Sequence, residues 1–221
     1  MKRLLITSIV ALAACGSTPT APDWALNAQG ALQRAVQAQL AGHTRVADAE
    51  AQRSRSEIAA SGRPDLMARA ELLLCAARAA ALDVEPCAGF ERLRADAAAP
   101  ELAYAAYLGG TLAPSQAPLL PAAQQPLAAP SRGEAADLAV LQAVADPLSR
   151  LLGAALWLRS GRASPAVVAL AVDTASAQGW RRPLLAWLQV QRQQAQAQGR
   201  HDEAARLQRR IDLVLQGGAA P

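Results

Sequence analysis

The sequence predicts an all-α protein built of stacked antiparallel helical hairpins, and three observations carry that expectation. Alanine supplies about a quarter of the residues while aromatics are only 3%, and alanine is the best helix former and lets helices approach closely. Runs of β-branched residues alternating at period two, the mark of half-buried strands, are missing. Glycine and proline divide the chain into segments of helical length, most with an apolar stripe. In 221 residues there is room for one large or two small domains with a buried core.

The elements follow in order. Met1-Lys2-Arg3 is basic, and Leu4 to Ala14 is apolar and free of charge. That is the charged head and short apolar run of a secretory signal peptide. Eleven helical residues at roughly 1.5 Å each fall well short of a ~30 Å hydrocarbon core. Trp24, Ala28, Leu32, Ala35 and Val36 line a first helix that stops at Gly42, and Ala47, Ala51, Ser54 and Ile58 line a second that ends near Gly62. Pro64 suits a first turn, after which Leu66, Ala70, Leu73, Leu74, Ala77 and Ala81 form the strongest stripe. Pro86 and Pro100 open two shorter segments, the second carrying Leu102, Tyr104 and Tyr107 before Gly109-Gly110.

Residues 111–130 hold five prolines and no charge. Helix and sheet are both disfavoured there, so the stretch reads as an extended linker or a loop laid across a helix face. Beyond it, Leu138, Leu141, Ala145, Leu148, Leu152 and Ala155 suggest one stripe, which Asp146-Pro147 interrupts with a cap and a first-turn proline. Ser164-Pro165 repeats the device. Trp180, Leu184, Trp187 and Leu188, then Ala204, Leu207, Ile211, Val214 and Leu215, supply the last two apolar faces. The expected organisation is a signal peptide (1–14), a flexible tether (15–23), a first helical half (24–110), a proline-rich central linker (111–131) and a second helical half (132–217).

Leu12-Ala13-Ala14-Cys15 resembles the lipobox of bacterial lipoproteins: a leucine, two small residues and the cysteine. The resemblance implies that the chain is cut before Cys15 and that this residue is acylated on sulfur and on its new amino group. Several acyl chains matter because one alone binds a membrane only marginally. Gly16 stands where such lipoproteins carry aspartate when the inner membrane retains them, which favours the outer membrane; a body facing the periplasm is the expectation, with the leaflet left open. Gly16 to Asp23, with two prolines, would span up to about 25 Å as a tether.

Ala41-Gly42-His43-Thr44-Arg45-Val46-Ala47 and Gln198-Gly199-Arg200-His201-Asp202-Glu203-Ala204 both place alanine five residues after a helix-ending glycine. This is similar to the turn inside a tetratricopeptide repeat, and a weaker version begins at Gly161. The resemblance implies an α-solenoid or tetratricopeptide-like body. No 34-residue period is visible, so a repeat origin and the ordinary use of glycine at helix turns both account for the pattern.

Cys75 and Cys87 are an even pair in a chain expected to reach an oxidising compartment, and they read as a disulfide. A free buried thiol is the alternative. A metal site is disfavoured because the histidines, His43 and His201, lie in separate turns and no CxxC spacing exists. No cofactor is expected either.

No GxSxG, HExxH or phosphate-cradling glycine loop occurs, and no catalytic residues are assigned. Glu50, Glu57, Glu71, Glu91 and Glu101 each lie near an arginine and read as solvated, salt-bridged helix faces. Without Lys2 and Arg3 the net charge of +4 falls to about +2, too little to mark a nucleic-acid partner. The expected function is therefore non-enzymatic: a helical protein-interaction or scaffold module, held to the membrane by its N-terminal acyl chains, that binds an envelope protein. The alternative is a small-ligand or lipid-binding lipoprotein, and an enzyme with a site assembled from distant residues ranks below both. Replacing Cys15 by Ala should abolish incorporation of labelled palmitate and leave an unprocessed precursor; unchanged labelling would refute the anchor.

Overall fold

Residues 21–217 are described by a computed structural model; Cys15, the signal peptide and most of the tether lie outside the described residues. Among the described residues there are ten α-helices, three short 3-10 helices and no strand. The helices are α1 (Asp23–Ala41), α2 (Thr44–Ala59), α3 (Pro64–Ala80), α4 (Ala88–Glu91), α5 (Ala99–Gly109), α6 (Glu134–Ala143), α7 (Pro147–Arg159), α8 (Pro165–Ala177), α9 (Arg181–Ala197) and α10 (His201–Gln216). No helix among the described residues is long and apolar enough to cross a membrane.

Local chemistry sets the helix ends. Asp146 accepts a hydrogen bond from the Ser149 amide at 2.8 Å, and Ser164 accepts one from the Val167 amide at 3.3 Å. Each cap precedes a proline whose missing N–H costs nothing in a first turn. Gly42 and Gly199 are left-handed, with φ of 88° and 69°. At each, the next amide reaches back to a carbonyl five residues earlier, His43 to Ala38 and Arg200 to Ala195, both at 2.8 Å. Those bonds satisfy carbonyls the helix end would otherwise leave open. Ala47 and Ala204 are buried five residues on, where a small side chain lets the second helix close on the first.

Packing is organised around α3, which touches α1, α2, α4, α5 and α7. Neighbours on several sides explain why α3 departs from the expected single stripe. Ala68, Leu72, Ala76 and Ala79 are buried as well as Ala70 and Ala77, whereas Leu66, Leu73 and Leu74 are only partly covered. In the second half α7 packs on α8, α8 on α9 and α9 on α10. Because α10 has little beyond α9 to lean on, Leu215, expected on its apolar face, is 52% exposed.

One hydrophobic cluster draws Val36 and Leu40 from α1, Ala77 and Ala80 from α3, and Leu151, Val168, Trp187, Leu188, Leu207 and Ile211 from α7 to α10. Helices on both sides of the proline-rich stretch thus share a core. Three buried indoles stitch it together: Trp157 donates to the Leu127 carbonyl at 3.0 Å, Trp180 to Gln37 Oε1 at 3.0 Å and Trp187 to the Ala80 carbonyl at 3.1 Å. An aromatic body with a polar tip fills volume that alanines leave and binds a distant part of the chain at once.

Residues 111–131 run from α5, against which Pro114–Leu119 packs, to α7, which Gln124 and Leu127 reach. They contain 3-10 helices at Pro114–Leu119 and Pro126–Ala128, short turns that begin with proline, although the sequence alone disfavours any helix. Leu120 and Leu127 are buried, and a Cβ added at Gly153 of α7 would sit 2.6 Å from Leu127 Cδ1, so any larger residue there would force Leu127 to shift. Arg162 completes the attachment. It donates to the Ala129 carbonyl at 2.7 Å, pairs through Nε and Nη2 with both oxygens of Asp137 at 2.7 Å, and lies 4.0 Å over the Trp157 ring.

The Arg162 guanidinium, with help from the Ser131 hydroxyl and the Arg132 amide, holds the Asp137 carboxyl well below the usual carboxylate range. A depressed native pKa contributes stability that is fully present above the unfolded value, about 4, and is lost as pH falls through the native value. Asp137→Asn should therefore lower unfolding free energy at neutral pH by about 2 kcal/mol, since it removes a charge-assisted pair from a partly buried guanidinium that keeps its bond to Ala129. In denaturant titrations the gap from wild type should narrow progressively as pH falls below about 4.

Candidate ligand-binding cleft

A cleft of about 600 Å³ opens between α3, α5, the proline-rich segment and the start of α7. Helix α3 presents Arg69, Leu72 and Leu73 to it; α5 presents Pro100, Glu101 and Tyr104. The proline-rich segment supplies Leu119, Leu120, Pro121, Ala123 and Gln124, and the head of α7 supplies Asp146 and Ser149. Most of these walls are apolar, and the segment's attachment to α7 is what brings the fourth wall into place.

Three polar groups of the lining are buried, and two of them are incompletely paired. Glu101 sits in the first turn of α5, where the helix dipole favours an anion, and is 4% exposed. Its Oε1 accepts from Arg69 Nε at 3.0 Å and from Arg69 Nη2 at 2.7 Å, while Oε2 has no hydrogen-bond partner. Gln124, 5% exposed, donates through Nε2 to Ser149 Oγ at 2.8 Å, and its Oε1 is also unpartnered. Ser149 in turn hangs from the Asp146 cap. A buried acceptor without a donor costs about 1–3 kcal/mol, so both oxygens store free energy that an incoming donor would release.

Beside the cleft, Tyr104 and Tyr107 stack with ring centroids 6.1 Å apart. Burial pushes both phenols well above their ordinary range, so both stay neutral. No histidine or cysteine lies among the lining residues, so Ser149 has no adjacent imidazole to activate it.

The residues singled out from sequence fall in several places. Cys75 and Cys87 lie with sulfurs at disulfide distance and Cα atoms 5.8 Å apart, joining α3 to the turn before α4. His43 is exposed just before α2 and His201 is exposed at the start of α10, and no group of three metal-binding side chains occurs among the described residues. Glu50 pairs with Arg34 at 2.9 Å, and Glu91 pairs with Arg94 at 2.7 Å on the surface. Two glutamates correct the expectation of solvated faces. Glu71 is buried and paired with Arg55, and Glu101 is buried in the cleft, because both project from helices into the space between neighbours.

Arg69, Gln124 and Ser149 are site residues that sequence reasoning missed. The nearest signals were Glu101 directly after Pro100, which places an acid in a first turn, and the polar pair Gln124-Gln125 in an uncharged proline-rich run. No family model, curated protein or solved structure matches this chain.

The cysteine pair closes a loop that carries α4 against α3. Peptides containing Cys75 and Cys87 should therefore be joined in a non-reduced digest, and reduction should lower stability by about 3 kcal/mol from loop-closure entropy. Two freely alkylatable thiols in the mature protein would refute the pairing.

Proposed function

We propose that this chain is a lipoprotein anchored to the outer membrane through Cys15, facing the periplasm, whose helical body is a non-enzymatic binding module for an envelope protein. The observation that carries the binding role is the cleft: apolar walls around buried acceptor oxygens that lack donors. The lipobox supports the anchor, and the tether would let the body stand off the membrane. The tetratricopeptide-like arrangement of stacked hairpins belongs to the same proposal. It is supported by the paired glycine turns at Gly42 and Gly199 and by the succession of contacts from α7 to α10. Neither a cofactor nor nucleic acid enters the reading.

One observation favours a second reading, an envelope binder of small ligands. The cleft volume of about 600 Å³ falls within the range of small-molecule pockets, roughly 300–1,000 Å³.

Position decides the first reading. Leu119 stands at the cleft rim, 41% exposed, and Arg209 is exposed on α10, remote in sequence from every lining residue. A photoreactive amino acid at position 119 in living cells should capture a discrete envelope protein, and the same group at position 209 should not. Equal capture from both positions, or none from 119, would count against a partner received in the cleft.

A further inference from the structure

We infer that the cleft between α3, α5 and the proline-rich segment takes an apolar group that carries a primary ammonium head. The inference rests on the reading of this cleft as the binding site and adds the chemistry of what enters it.

The unpaired polar atoms point one way. Glu101 Oε2 and Gln124 Oε1 are both acceptors, and both are buried. An ionised carboxylate accepts and never donates, so the group that completes Glu101 must bring its own hydrogen. A purely apolar occupant would leave both oxygens dry and uncompensated. A carboxylate or phosphate would set further acceptors against them.

Charge narrows the choice further. Arg69 is the one cation of the lining, against Glu101 and Asp146. Its guanidinium is committed through two nitrogens to Glu101 Oε1, and its side chain is 66% exposed, so it stands at the mouth. The lining therefore keeps an excess negative charge, with Asp146 exposed and using Oδ2 as the α7 cap. An ammonium meets this arrangement well: three donors on a compact cation whose charge matches the Glu101 carboxylate. Leu72, Leu73, Leu119 and Leu120 remain to cover the stem behind the head. Such a head occurs on a free amine and on a lysine side chain of a partner protein.

The experiment uses full-length acylated protein in detergent and isothermal titration with three probes of matched shape: phenethylamine, 2-phenylethanol and 3-phenylpropionate. A blocked tripeptide, Leu-Lys-Leu, forms a fourth arm. Phenethylamine should bind at least about tenfold more tightly than the alcohol, with the carboxylate weakest. Glu101→Gln should erase the preference for amine over alcohol. Gln124→Leu removes the second unpaired acceptor and leaves the Arg69–Glu101 pair intact, so it should lower amine affinity by about threefold to tenfold while keeping the preference for amine over alcohol. That variant decides the matter where Glu101→Gln fails to fold by circular dichroism.

Tighter binding of the tripeptide than of phenethylamine assigns the head to a protein partner, and the reverse order assigns it to a free amine. Alcohol binding as tight as amine binding overturns the ammonium head while leaving the cleft a binding site. No binding of any probe, with discrete capture from position 119 intact, overturns the ammonium head and leaves the protein-partner reading standing. No binding with no capture overturns both.

Discussion

The attachment of the proline-rich segment to α7 is the constraint on which the rest of this structure depends. Residues 111–131 lose five backbone donors to proline and form only two short 3-10 helices of their own. They stay in place because Trp157 donates its indole hydrogen to Leu127, Arg162 holds the Ala129 carbonyl and Asp137, and Gly153 leaves room for Leu127. Each part relies on the others. The guanidinium lies over the same ring that makes the first bond, so removing Trp157 would also strip Arg162 of its stacking partner. With the segment in place, the core acquires Leu127 and the cleft acquires its fourth wall, including Gln124.

A body so rich in alanine has little volume to spend on its core, and it compensates in two ways. Helices come close: Ala76, Ala77 and Ala80 of α3 are wholly buried against neighbours on several sides. The remaining space is filled by a few large groups, Trp157, Trp187 and Phe90 among them. Where helices meet at close range, long polar side chains that face a neighbour lose their water. Glu71 and Glu101 are both caught in this way, each with an arginine from another part of the chain or from another helix. Glu71 is matched at both oxygens by Arg55, which makes it a tie between α2 and α3. Glu101 is matched at one oxygen alone, and that difference separates a structural ion pair from a group with capacity to bind.

Taken by itself, the sequence determined what depends on near neighbours in the chain. Asp146-Pro147 and Ser164-Pro165 start helices because a short acceptor and a ring-locked φ act within three residues. Gly42 and Gly199 end helices because only glycine enters the left-handed region without strain. The buried positions of α2 were legible because α2 packs on one side. The tertiary structure alone decided the rest: the wide burial of α3, the shared core of the two halves, the course of residues 111–131 and the burial of Glu101 beside Gln124. The physical reason is range. Capping, turn formation and periodicity are settled by contacts a few residues apart, whereas the water lost by Glu101 depends on Arg69, thirty-two positions away, and Gln124's partner Ser149 lies twenty-five positions on. Nothing in a glutamate beside a proline says which helix will cover it; that is settled when α3, α5 and α7 close on one another.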